Sequence, residues 1–179
     1  MEHIQAEAKA GDIDLLYFDE AGFSCLPNVQ RSWSPLGNPH MADASLGRKR
    51  VNVMGALDFV KGKLHFDARE HSIKREHVIP FIDQLAQSSD PGKFTVMIMD
   101  NASIHKNIDP AITQRWHDDH KFVLLFLPPY SPELNLIEIL WKHAKYHWRD
   151  FISWTPATLL REVQTLLAGF GTTFHIGFA

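Results

Sequence analysis

A mixed sheet of five strands with helices on both faces is the α/β fold that the sequence predicts, and three observations predict it. A short apolar run and a hairpin come first, helices and strands then alternate, and the two later strands are apolar at nearly every position. Unbroken apolar runs of that kind suit strands covered on both faces. The 179 residues amount to one domain of ordinary size.

Residues 1–12 are polar, end at Gly11, and read as a helical lead-in. Leu15-Leu16-Tyr17-Phe18 reads as a strand that stops at Asp19-Glu20-Ala21-Gly22. Residues 21–50, rich in Pro, Gly, Asn and Ser, read as a loop-rich insertion with short strands around Arg31-Ser32-Trp33. Val51 to Phe59 and Lys63 to Phe66 flank Val60-Lys61-Gly62, a hairpin signal. From His77 to Gln87, Val78, Phe81, Ile82 and Leu85 recur at helical spacing, and Asp90-Pro91-Gly92 makes a turn. Phe94 to Met99 is a strand that ends abruptly at Asp100-Asn101. Asp109-Pro110 supplies an N-cap and a first-turn proline for a helix to about His120. Phe122 to Leu127 reads as another buried strand, halted by Pro128-Pro129, and helices follow over about 135–148 and 156–168. An antiparallel meander followed by alternating α and β units is the order of a ribonuclease-H-like fold.

Hydrophobic residues at 45% and charged residues at 22% exclude wholesale disorder and a fibrous repeat. No apolar run reaches the ~18 residues of a membrane span, and the acidic, polar start is no secretory signal. Cys25, the single cysteine, cannot form an internal disulfide, which fits a reducing, cytoplasmic setting. The net charge of −3 argues against a protein that coats nucleic acid.

Three carboxylates stand out by position. Asp19 and Asp100 each follow an apolar strand, so their charges fall at the sheet edge, where a ligand can reach them. Glu138 falls in the first turn of the helix after the last strand. Hard oxygen ligands from two strands and a helix would select Mg²⁺ or Mn²⁺. A bland reading stands beside each: Asp19 and Asp100 as turn residues, and Glu138 as the reaching glutamate of a capping box begun by Asn135. On spacing alone the cap is favoured for Glu138. Strand alternation sends Glu20 to the face opposite Asp19.

Ile137, Leu140, Trp141, Ala144 and Trp148 fall on one apolar stripe, with Glu138, Lys142, Lys145 and Arg149 on a neighbouring face. That face reads either as solvated Glu–Lys pairing or as a basic track along a DNA backbone, to which Arg48, Lys49 and Arg50 would add phosphate contacts. His143 and His147 have the i,i+4 spacing of zinc ligands, but no protease-like glutamate lies between them and no cysteine pair lies nearby.

Tyr17-Phe18-Asp19-Glu20-Ala21-Gly22-Phe23, Met99-Asp100-Asn101-Ala102-Ser103-Ile104-His105, and the run Leu127-Pro128-Pro129-Tyr130-Ser131-Pro132-Glu133-Leu134-Asn135-Leu136-Ile137-Glu138 together resemble one family. It is the DDE catalytic domain of mariner-like and related bacterial insertion-sequence transposases. Arg31 to Gly37 resembles that family's Trp-containing insertion, and the likeness runs from about residue 13 to 168. The third block is the specific one. The resemblance implies that Asp19, Asp100 and Glu138 are the catalytic, metal-binding triad, holding two Mg²⁺ or Mn²⁺ ions, with Asn101 and His105 near the site. Glu133, where the family usually has Asp, and Leu136, where it has Pro, are departures that leave the triad intact. Setting the three triad acids aside leaves no net charge, which weakens the charge objection to a DNA partner.

The implied activity is metal-dependent DNA cleavage and strand transfer in transposition. The alternatives are a nuclease of the same fold without strand transfer, and a truncated remnant that only binds DNA or a full-length transposase. Residues 1–179 read as one catalytic domain without the N-terminal helix-turn-helix module of the family. The expected partners are therefore DNA, a full-length transposase or separate helix-turn-helix subunit, and a second copy when assembled on DNA.

Overall fold

In the computed structural model of the chain, the described residues are 1–25, 34–38, 49–102, 108–129, 131–148 and 154–177. Helix α1 (Glu2–Ala10) leads into β1 (Ile13–Ser24), followed by β2 (Arg50–Asp58), β3 (Lys63–Arg69), α2 (Arg75–Gln87) and β4 (Phe94–Met99). Then come α3 (Pro110–His120), β5 (Phe122–Phe126), a 3-10 turn (Pro132–Leu134), α4 (Ile137–Tyr146) and α5 (Leu159–Ala168). The sheet order is β3-β2-β1-β4-β5. The first three strands are antiparallel, while β4 runs parallel to both β1 and β5.

Two apolar layers sandwich this sheet. Leu15, Tyr17 and Phe23 of β1 pack with Ile137, Leu140 and Trp141 of α4 and with Leu159 and Val163 of α5. Leu16 and Phe18 point the other way, toward Val78 and Ile82 of α2 and Trp116 of α3. The side-chain period of two in β1 produces this division. The hairpin turn forms because Asp58 Oδ1 accepts from the Val60 and Lys61 amides at 3.2 and 2.8 Å, and Gly62 takes a positive φ of 59° that a side chain would strain.

Local signals in the sequence are realised closely. Asp109 caps α3, accepting from the Ala111 amide at 2.9 Å, with Pro110 in the first turn. Three expectations need correction. First, β1 does not stop before Asp19 but runs to Ser24, because β2 pairs with it from Leu16 to Ser24; the insertion is accordingly shorter at both ends. The expected strands around Arg31-Ser32-Trp33 lie outside the described residues. Second, β5 is an edge strand rather than a doubly covered one, and Leu125 and Phe126 are exposed. Third, α4 begins at Ile137 and ends at Tyr146. Trp148 lies beyond its end, stacked on Phe174 at 4.9 Å between ring centroids.

Candidate active site

The site follows from where strand pairing ends. β4 pairs with β1 only as far as Tyr17↔Ile98, so Asp19 has a ladder partner on the β2 side alone, where it faces Gly55. Continuing the parallel register places Asp100, the residue after β4, at the level of Asp19. Both carboxylates therefore lie just past the carboxyl end of the parallel β1–β4 pairing, although β1 itself continues to Ser24, and that end of an open α/β sheet receives ligands.

Glu138 comes to the same place from α4. Asp19, Asp100 and Glu138 line one cleft of about 410 Å³, with Asn101, Leu127, Pro128, Ser131 and Asn135 among its other walls. The capping-box reading of Glu138 is not what the structure contains: α4 has no side-chain cap. Asn135 instead donates its side-chain amide to the Phe18 carbonyl at 2.9 Å, tying the approach to α4 onto β1 beside Asp19. Asn101, expected near the site, lines the cleft and donates to the Leu127 carbonyl at 2.6 Å, which ties the ends of β4 and β5 together. Asp100 also acts as a turn residue, its Oδ1 accepting from the Ala102 amide at 3.0 Å. His105 lies outside the described residues.

The carboxylates crowd one another. Burial pushes Asp19 up to about 8, and the negative charges of Glu138, Glu20 and Asp100 add to the shift against a hydrogen bond from the Glu20 backbone. Among the described residues, no three His, Cys, Asp or Glu side chains converge closely enough to enclose a metal ion. Mg²⁺ does not demand such a cage. It keeps several waters and is held by one or two carboxylates plus substrate phosphate, and pairs of carboxylates on an open cleft fit that mode. The zinc reading of His143 and His147 finds no third ligand among the described residues; their rings lie 5.0 Å apart and His143 packs on Trp148.

The expected basic track divides. Lys142 is exposed, whereas Lys145 is half-buried with its Nζ 5.7 Å from the Phe23 ring. Burial lowers the Lys145 pKa, and the fields of Glu138 and Asp19 work against that shift. Lys49 is engaged with Glu70 at 2.6 Å. The Arg50 guanidinium occupies the space that a side chain at Gly22 would need. Arg48 and Arg149 lie outside the described residues.

Sequence reasoning missed Ser131 as a lining residue and Asn135 as a tie. It also missed Gly55, although a glycine inside an apolar strand signals close approach by another element.

A family model described as DDE superfamily endonuclease matches residues 14–159. The chain is 31% identical over 80 residues to protein y4pE/y4sA of Sinorhizobium fredii, covering 40% of this chain and 55% of that protein. It is 26% identical over 129 residues to the 39 kDa protein of insertion element IS630 of Shigella sonnei, covering 72% of this chain and 36% of that protein. The chain thus spans about half the length of the first relative and about a third of the second. Among solved structures, the Mos1 mariner paired end complex with Mn is similar at a TM-score of 0.56 and 14% identity, over 93% of this chain and 57% of that chain. The catalytic core domain of BIV integrase is similar at 0.54 and 11% identity, over 91% of this chain and 86% of that chain. At such identities the likeness is one of fold, and the fold is ribonuclease-H-like. No helix among the described residues is long and apolar enough to cross a membrane.

Proposed function

The chain belongs to the DDE superfamily of endonucleases, and from that premise we propose that it is the catalytic domain of a transposase that cleaves DNA strands and transfers them. Asp19, Asp100 and Glu138 are its catalytic carboxylates and would hold two divalent cations, Mg²⁺ or Mn²⁺. The observation that carries this reading is that the three side chains, from two strands and a helix, line one cleft just past the parallel β1–β4 pairing.

Water attacks a phosphodiester at the element end, and the released 3′-hydroxyl then attacks target DNA. When bound, a pair of such cations activates the attacking oxygen and stabilises the leaving oxygen. The chain's own residues contribute positioning and charge. Asn101 and Asn135 brace the strand ends and the helix that carry the carboxylates. Lys145, within the field of Asp19 and Glu138, and the exposed Lys142 supply positive charge to a DNA backbone along α4. Element-end recognition by a helix-turn-helix module or subunit, homodimeric assembly on DNA and a cytoplasmic setting belong to the same proposal. The Mos1 paired end complex supports assembly on paired DNA ends, and the greater length of both relatives leaves room for a further module.

The deciding experiment compares Glu138→Gln with the unaltered chain on pre-nicked duplexes carrying element ends, in Mn²⁺ and in EDTA. Glutamine keeps the shape but not the charge, so the melting temperature should hold while cleavage falls by about a hundredfold or more. Retained cleavage in the variant, or full activity in EDTA, would overturn the proposal.

A further inference from the structure

Gly55 stands directly opposite Asp19 in the β1–β2 ladder. Paired residues of an antiparallel ladder project to the same face, here the face that α4 covers. A Cβ on Gly55 would lie 2.7 Å from Cη2 and 2.9 Å from Cζ2 of Trp141, closer than packed carbon atoms approach one another. The outer rim of the indole therefore rests on bare β2 backbone.

The rest of that side chain is equally constrained. Trp141 is 1% exposed and meets Phe23 edge-on, 6.4 Å between centroids at 82°. Its Nε1 is buried with no hydrogen-bond partner among the described residues, so the fit of the ring against the strand places it there. Trp141 lies one helical turn after Glu138, and Ile137, Leu140 and Ala144 anchor the same helix in the same core. A close-packed core moves such a helix as a body.

We infer that Gly55 is a positioning residue for Glu138: by admitting the Trp141 indole onto β2 it sets the depth of α4 and holds the Glu138 carboxylate over the cleft it shares with Asp19. This rests on the reading of that cleft as a cation-binding active site. A methyl group at position 55 must lift the indole, and with it the first turn of α4. Phenylalanine at 141 lacks the two outer ring atoms, which leaves only the flexible end of Leu64, its Cδ1 3.3 Å from such a methyl, to give by a few tenths of an ångström.

The test uses the full chain carrying Gly55→Ala, Trp141→Phe, both together, or Glu138→Gln, with melting curves, Mn²⁺ affinity by electron paramagnetic resonance, and cleavage rates. Gly55→Ala should weaken Mn²⁺ binding about tenfold and slow cleavage about a hundredfold, the scale of an ångström-sized misplacement. The double variant should return both to within about threefold of the unaltered chain, a coupling that independent sites do not show. Normal Mn²⁺ binding and cleavage in Gly55→Ala would overturn the inference, as would a folded double variant no better than the single one. If Gly55→Ala alone does not fold, the double variant decides: folded and binding Mn²⁺ it supports the inference, folded without binding it overturns it. Failure of the double variant to fold, where Trp141→Phe alone folds, also overturns it. A silent Glu138→Gln removes the reading of the cleft itself, whereas an impaired Glu138→Gln beside an unimpaired Gly55→Ala removes only the positioning role.

Discussion

Strand β1 carries Asp14 and Asp19, and the two ends of the sheet treat them in opposite ways. At the entry end Asp14 is clasped by Lys93 at 2.8 Å and Lys61 at 3.3 Å, and Lys61 also reaches Asp58 at 3.3 Å. Burial alone would raise the Asp14 pKa, but those lysines hold it below its ordinary value. At the other end Asp19 meets carboxylates, and its pKa goes up to about 8. One strand thus has a neutralised anion at its start and a crowded one where β4 leaves it. Charges that only hold a fold together are cancelled within the chain. Carboxyls left facing one another hold on to protons that a bound cation would displace.

That contrast can be broken most forcefully at the crowded end. Asp100→Asn should slow metal-dependent cleavage by about a hundredfold or more, while the metal-free melting temperature stays level or rises because a repelling charge is gone. Cleavage at the normal rate would take Asp100 out of the active site.

The next effect is one of pH. Between its ordinary value of 3.8 and about 8, Asp19 keeps a proton in the folded chain that the unfolded chain has lost. Metal-free stability should therefore fall as pH rises through that window, by up to about 1.4 kcal/mol per unit, and Asp19→Asn should flatten the fall. The sign reverses at the entry end: the contribution of Asp14 is present above 3.8 and disappears as pH falls through its lowered pKa. Melting series from pH 2 to 9 on both proteins check this, and a profile unchanged by Asp19→Asn would remove the crowding account.

A smaller change is expected from Asp14→Asn. Its lysine partners are partly exposed, so the cost should be about 1 kcal/mol at neutral pH, with cleavage untouched. Denaturant titration measures the first, and reduced cleavage would show that the two ends are coupled. Least of all should come from Lys49→Ala. Its pair with Glu70 is at the surface, so stability should move by less than about 1 kcal/mol and the salt dependence of DNA binding should hardly change. A clear loss of salt dependence would return Lys49 to the DNA track.

The parts legible in the sequence were those decided locally. The Asp109 cap, the Asp58–Lys63 hairpin and the amphipathic α2 depend on neighbours a few residues away. Asp19, Asp100 and Glu138 were legible only as candidate positions: spacing favoured a cap for Glu138, and what grouped the three was the resemblance of their motifs to one family. What stayed hidden depends on distant pairing. β1 outlasts its apolar run because β2 pairs with it to Ser24, and β5 is as apolar as β4 yet has one neighbour instead of two. Asn135 has the composition of a helix cap but spends its amide on Phe18, far away in the chain. No local pattern distinguishes those uses.

The edge position of β5 bears on self-association. Both outer strands of the sheet lack a second neighbour among the described residues, but β3 protects its edge with Lys63, Asp67 and Arg69, whereas β5 exposes Leu125 and Phe126. An uncharged, apolar border invites a foreign strand to add to it. Here the invitation is brief: Pro128 and Pro129 follow the strand closely, and a proline offers no amide hydrogen to extend a ladder. A strand laid alongside could pair over little more than the five residues of β5. The two prolines that turn the chain toward the carboxylate cleft therefore also limit how far sheets from different molecules can fuse.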